Sequence, residues 1–257
     1  MVEPAVDNAL WIRRFHPPPA PAVRLACFPH AGGSASFFFP VSAAMPESVE
    51  VLGVQYPGRQ DRRADACIDS IDALADAIYP AMRAWTDRPL AFFGHSMGAT
   101  VAFEVARRFE QRDGIVLAGL FASGRRAPSR HRDENVHTRG DQALIAELRS
   151  LSGTDTTLLG DDEMLRMILP ALRGDYKAIE TYRCATDSTI DSPITALVGD
   201  ADPKTTVDEA RDWARHTTGL FDAQVFPGGH FYLSQHRAAV IGAIADRLPR
   251  PTRPCAE

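Results

Sequence analysis

One serine in this chain sits where it could act as a nucleophile. Leu90-Ala-Phe-Phe-Gly94-His95-Ser96-Met97-Gly98-Ala99-Thr100 passes from an apolar strand pattern through Gly-His-Ser-Met-Gly into a helical pattern. A G-x-S-x-G segment between strand and helix turns sharply enough to lift a serine hydroxyl above a sheet. Gly94 and Gly98 leave room there for neighbouring backbone. The start of the following helix offers unpaired N–H groups and the positive end of its dipole to a developing oxyanion, which suits attack on an acyl carbon.

A serine hydroxyl needs an adjacent base to attack at neutral pH, and there are eight histidines. His95 is next to the serine, but adjacent positions at a sharp turn point different ways, so it is expected to be packed or hydrogen-bonded beneath the turn. His30 belongs to the loop after the first strand pattern, and His16 to an irregular N-terminal arm. His131, His137, His216 and His236 lie in polar stretches expected at the surface. His230 closes Val225-Phe-Pro-Gly-Gly-His230, a loop after the last strand pattern, where the chain order serine, acid, histidine puts the base. For the acid, Ile194-Thr-Ala-Leu-Val-Gly199-Asp200-Ala-Asp202-Pro203 supplies two candidates at the carboxyl end of a strand. Asp200 could instead brace the loop by accepting backbone hydrogen bonds. Asp202 lies farther out on the turn, which favours it for reaching an imidazole; Asp222 is a remote third. A second oxyanion donor, beside the N–H of Met97, is expected from Phe28-Pro-His-Ala31-Gly-Gly-Ser34, with Ala31 the chosen residue. The same loop could be a plain turn feeding Phe37, Phe38 and Phe39, which are expected in the core.

The elements that must hold these residues follow from periodicity. Short apolar runs at 23–28, 49–56, 90–94, 115–122, 194–199 and 223–226 alternate with helical patterns such as Ile71, Leu74, Ile78 and Met82, the signature of a parallel sheet built from βαβ units. Between 124 and 192 the strands stop. Leu144, Ile145, Leu148 and Leu151, then Met164, Leu165, Ile168, Leu169 and Leu172, then Tyr176, Ile179 and Tyr182 recur at helical spacing, too long a stretch for a connecting loop. It reads as a helical insertion placed on the sheet. Pro17 to Pro21 exclude helix or central strand, so residues 1–22 are expected to be an irregular arm, and residues 249–257 a flexible tail.

Phe28-Pro-His-Ala-Gly-Gly-Ser34, Tyr56-Pro-Gly-Arg59, Gly94-His-Ser-Met-Gly98, Gly199-Asp-Ala-Asp202 and Gly228-Gly-His-Phe231 together resemble the type II thioesterases of polyketide and nonribosomal peptide synthesis. The resemblance runs from about Val23 to Leu248 with the motifs in the family's order. It implies an α/β-hydrolase fold over 23–248, with 124–192 as a helical lid. It also implies an editing hydrolase that removes stalled or aberrant acyl groups from the phosphopantetheine arm of acyl or peptidyl carrier domains. Carried over by motif, Ser96 is the nucleophile, His230 the base, Asp202 the orienting acid, and Ala31 and Met97 the oxyanion donors; Arg59 is read as structural. Because thioesters and oxygen esters share this chemistry, a general carboxylesterase, an acyltransferase or a noncatalytic binding module on the same fold are the rival readings. The basic run Gly124-Arg125-Arg126-Ala-Pro-Ser-Arg130-His131-Arg132 either steers an acidic carrier domain or is a solvated loop.

Composition narrows the partners. A net charge of -5, from 28 basic and 33 acidic residues, speaks against nucleic acid, whose binders need a basic excess. No apolar run is long enough to span a bilayer, and the N-terminus lacks the apolar segment of a secretory signal, so a cytoplasmic location is expected. Cys27, Cys67, Cys184 and Cys255 are scattered without metal-ligand spacing; they are expected to be reduced, with Cys27 buried in a strand, and neither metal nor cofactor is expected. A start at Met1 favours a stand-alone protein over a domain of a larger synthase, and a monomer is expected.

Overall fold

The computed structural model describes residues 8–152 and 162–249. The first seven residues of the arm, residues 153–161 of the insertion and the tail from 250 on, with Cys255, lie outside the described residues, as do the side chains of Met164 and Leu165.

The apolar runs form the strands. In chain order the elements are α1 (Asn8–Trp11), β1 (Ile12–Arg13), β2 (Val23–Phe28), α2 (Phe39–Ala44), β3 (Val49–Val54), α3 (Ile71–Arg83), β4 (Leu90–His95), α4 (Met97–Asp113) and β5 (Gly119–Ser123). Then come α5 (Asp141–Ser152), α6 (Asp162–Thr181), β6 (Ile194–Gly199), α7 (Val207–Arg211), β7 (Phe221–Phe226), α8 (Tyr232–Gln235) and α9 (Arg237–Ala245). The seven strands make one sheet in the order β1-β3-β2-β4-β5-β6-β7, parallel except for β1. Helices cover both faces, and this explains why the central strands are apolar throughout instead of alternating. Ala26, Phe28, Leu52, Phe92 and Leu120 meet α3 and α4 on one face. Leu25, Cys27, Val51, Phe93 and Leu197 meet α9 and Phe38 on the other.

Local signals set the helix ends. The Ser70 hydroxyl caps α3 by accepting from the Ala73 N–H, and Gly114 ends α4 in the left-handed region at φ 66°. Two of the sequence expectations are corrected. The arm is not irregular throughout: β1 pairs antiparallel with β3, Ile12 opposite Val54, and Trp11 and Ile12 are buried. The run Leu10-Trp-Ile is too short to show a period, so only its pairing partner reveals it. The apolar run from 115 becomes strand only at Gly119. Leu117 enters the core from a loop tied by its N–H to the Ser192 hydroxyl, while Val116 faces outward.

The insertion between β5 and β6 carries α5 and α6, whose apolar stripes close on a small cluster of their own made by Val136, Leu144, Ile145, Leu169, Leu172 and Tyr176. Among the described residues no helix is long and apolar enough to cross a membrane.

Candidate active site

Ser96 occupies the single-residue turn between β4 and α4 at φ 56°, ψ -122°, a conformation that a non-glycine residue adopts at a cost of about 1–3 kcal/mol. The surroundings enforce it. A Cβ on Gly94 would lie 2.2 Å from the Gly98 carbonyl oxygen, and a Cβ on Gly98 would lie 2.1 Å from that of Phe28. Both glycines are therefore required by backbone that passes at contact distance. The Ser96 N–H donates to the Ser123 carbonyl at 2.8 Å, tying the turn to the end of β5.

His230 is buried in the loop after β7, and its Nδ1 lies 3.0 and 2.9 Å from the two carboxylate oxygens of Asp202. A carboxylate only accepts, so Nδ1 carries the proton and Nε2 is left as the basic nitrogen. Asp202 also accepts the Lys204 N–H at 2.8 Å. Asp200 has the other job that was open to it: it accepts the Gly228 N–H at 2.9 Å and braces the loop that carries His230. Asp222 is at the surface, paired with Arg247.

In the loop after β2, the Gly33 N–H donates to the His30 carbonyl and the Gly32 N–H to Asp175, while among the described residues the Ala31 N–H has no acceptor. Met97 is the first residue of α4, so its N–H has no intrahelical acceptor. Ala31, Ser96, Met97 and His230 line one cavity of about 30 Å³, room for one or two waters. All five residues chosen from sequence therefore converge: four line the cavity, and Asp202, the fifth, holds His230 in place.

The other histidines divide. His95 is fully buried beneath the turn as expected, its Nδ1 3.0 Å from the Ser123 hydroxyl, which in turn meets the Tyr232 hydroxyl at 2.7 Å. Burial holds it well below the ordinary imidazole value. His30 packs edge-on against Phe37, Phe231 and His95, and burial, with the nearby His230 and Arg59, lowers it to about 3. His230 thus stands beside two imidazoles that stay neutral. His216 corrects an expectation: it is buried, bridging Ser129 and the Ser188 carbonyl, because the polar stretch around it folds under Trp213. Of the three phenylalanines expected in the core, Phe38 is there, but Phe39 is half exposed against Phe15 and His16. Cys27 is buried in β2, where burial pushes its thiol up.

The far wall of the cavity comes from the insertion and from the loop after β6, and sequence reasoning missed most of it. Tyr176, Ile179 and Glu180 of α6 and Leu151 of α5 face Arg125, Glu134 and Lys204. Burial opposes ionisation of Glu134, but Arg126 and Lys204 outweigh it and hold the carboxyl at about 2. Burial, and then Arg126, lowers the Arg125 guanidinium to about 9, and it has no hydrogen-bond or ion-pair partner among the described residues. The rest of the basic run is not a free rim. Arg126 is 2% exposed and pairs with Glu134, Arg130 pairs with Asp212, and Arg132 grips Glu209. A signal for the wall did exist: Asp175 and Glu180 interrupt the apolar stripe of Leu172, Tyr176 and Ile179 on one helical face.

The sequence profile described as Thioesterase domain matches residues 23–248. The thioesterase PikA5 of Streptomyces venezuelae is 54% identical over 244 residues, covering 95% of this chain and 87% of that protein. The fold is similar to that of the type II thioesterase BorB from the borrelidin biosynthetic cluster, with a TM-score of 0.89 at 51% identity over 96% of this chain and 100% of that one. It is also similar to YbtT, a type II thioesterase from the yersiniabactin NRPS/PKS biosynthetic pathway, with a TM-score of 0.82 at 31% identity over 93% of this chain and 98% of that one.

Proposed function

The chain belongs to the thioesterase family and has its α/β-hydrolase fold, and on that premise we propose that Ser96, His230 and Asp202 hydrolyse acyl groups from the phosphopantetheine thioester of carrier proteins, editing stalled or aberrant chains in polyketide or nonribosomal peptide synthesis. The observation that carries the chemistry is the bidentate Asp202 carboxylate on His230 Nδ1, with His230 lining a cavity that also holds a strained serine and a loop N–H without an acceptor among the described residues. BorB and YbtT, which belong to a biosynthetic cluster and an NRPS/PKS pathway, support the choice of carrier-bound substrates.

His230 Nε2 takes the Ser96 proton as Oγ attacks the thioester carbon, and Asp202 holds the ring in the required tautomer and steadies the imidazolium. The carbonyl oxygen becomes an oxyanion between the N–H groups of Ala31 and Met97, where removing one such donor costs about 2.7–4 kcal/mol. The C–S bond breaks, the departing sulfur takes the proton from His230, and Ser96 is left acylated. A water gives its proton to Nε2 and attacks the acyl carbon; the C–O bond to Ser96 then breaks, Oγ recovers the proton, and the free acid leaves. In this reading the helices of 124–192 form the lid over the acyl group.

The test is a panel of acyl groups loaded on carrier protein and on a free pantetheine mimic, with aryl esters beside them. Faster release from the carrier than from aryl esters is expected. Preference for aryl esters would favour a carboxylesterase, and an amide or ester product in place of free acid would favour an acyltransferase.

A further inference from the structure

We propose that Asp175 and Arg59 are positioning residues for the oxyanion loop, through which helix α6 sets the direction of the Ala31 N–H. This rests on the reading of Ala31 as an oxyanion donor.

The contacts form a closed set. The Arg59 guanidinium donates to both carboxylate oxygens of Asp175, at 2.7 and 2.9 Å, a two-point fork that fixes both groups in one plane. The same Asp175 oxygen that takes the 2.7 Å bond also accepts the Gly32 N–H at 2.7 Å. Arg59 then donates to the Gly33 carbonyl at 3.1 Å, so the pair grips an N–H and a C=O of two successive loop residues. On the other flank the Tyr56 hydroxyl donates to the Pro29 carbonyl at 3.3 Å. Leu172, one turn before Asp175, sits 2.9 Å from where a Cβ on Gly32 would be, and Gly32 has φ 75°. Helix α6 therefore touches this loop by packing as well as by charge.

The consequence for Ala31 follows from peptide planarity. The His30 carbonyl and the Ala31 N–H share one peptide unit and point in opposite directions. Because the Gly33 N–H holds that carbonyl at 2.9 Å, the Ala31 N–H is turned away from the loop interior, and among the described residues it meets no acceptor. That turn persists only while Gly32 and Gly33 keep their places, which Asp175 and Arg59 fix. A buried ion pair is a poor way to gain stability, since apolar residues of similar volume often serve as well. Asp175 is 1% exposed and Arg59 7%, so the pair is buried at a cost that its hold on the loop accounts for.

The experiment uses the full chain and a free acyl-pantetheine thioester, which needs no carrier docking. Asp175→Asn keeps an acceptor for Gly32 but loses the charge, and kcat is expected to fall about tenfold with KM within twofold. The double variant Arg59→Met with Asp175→Leu refills the volume without the charges, and kcat is expected to fall about 100-fold, the scale of losing one oxyanion donor, with the melting temperature little changed. Affinity for an alkyl boronic acid, whose tetrahedral adduct on Ser96 puts an oxygen in the oxyanion site, is expected to fall in the same ratio as kcat. A folded double variant that keeps kcat within twofold overturns the proposal. So does a loss of kcat in Asp175→Asn with boronate affinity unchanged, which marks a purely structural pair. Ser96→Ala, run alongside, separates the two failures: if it retains hydrolysis, the triad reading itself is wrong.

Discussion

Beneath Ser96 the site is held by backbone: the ends of β4, β5 and β6 lie in register, two glycines pass at contact distance, and the Ser123 carbonyl anchors the turn. Across the cavity, 124–192 is held by its own apolar cluster and by side-chain charge. Arg126 and Lys204 meet on Glu134, Lys204 reaches on to Glu147 of α5, and His137 meets Glu180 of α6. The first side is close-packed and tolerates almost no change in volume. The second side joins its elements through charged side chains and not through close backbone contact, so a change of side-chain volume there meets less resistance. Ser96, His230 and Asp202, the proposed triad, thus lie on the close-packed side, and the proposed lid lies on the other.

The contrast can be broken most sharply at the turn itself. Ser96→Gly should abolish hydrolysis of a pantetheine thioester, by about 10⁶-fold on the scale of other serine triads, and should raise stability by about 1 kcal/mol in urea unfolding as strain is released. If stability falls instead, the strain is not where we place it. Next in size, Asp202→Asn should lower kcat by about 10⁴-fold, since the amide favours the wrong tautomer of His230. Asp200→Asn should cost less than about tenfold, as it bonds only to the loop. Reversed magnitudes would transfer the orienting role to Asp200.

Gly98→Ala should destabilise the protein by about 3 kcal/mol or more because the Phe28 carbonyl cannot yield, and chemical denaturation would measure it. A smaller loss would mean the rigid side can relax.

The pH response tests the same side. His30 and His95 are held neutral by burial, His30 down to about 3 against an ordinary 6.5. Below pH 6.5 the unfolded chain binds protons that the folded chain refuses, so stability is full above 6.5 and falls as pH drops toward 3. The slope is about 1.4 kcal/mol per pH unit for each histidine. Urea midpoints at pH 7.5, 6 and 5 check it; a flat profile would show that the pair protonates in place. Smallest of all, Arg130→Glu should change hydrolysis of carrier-bound and free thioesters equally, within about twofold, because Arg130 is engaged with Asp212. A selective loss on the carrier would restore the basic run as a docking rim.

The two sides were also unequally legible. Ser96, Asp202 and His230 announce themselves because a strand end followed by Gly, Asp or Pro is a local signal, and Asp202 parts from Asp200 only once the fold brings Gly228 to the latter. The strands of the sheet could be read for the same reason. The edge strand at Ile12 and the late start of β5 could not, because pairing partners and a loop anchor decided them. The wall was harder still. Asp175 meets Gly32 and Arg59 across more than a hundred residues, and no spacing rule links a mid-helix aspartate to a loop that far away.

The contact between Gly98 and the Phe28 and Pro29 carbonyls carries a further consequence. A single hydrogen atom separates the helix that follows Ser96 from the loop that carries Ala31. The turn at Ser96 and the loop at Ala31 therefore behave as one mechanical body, and neither can shift without moving the other.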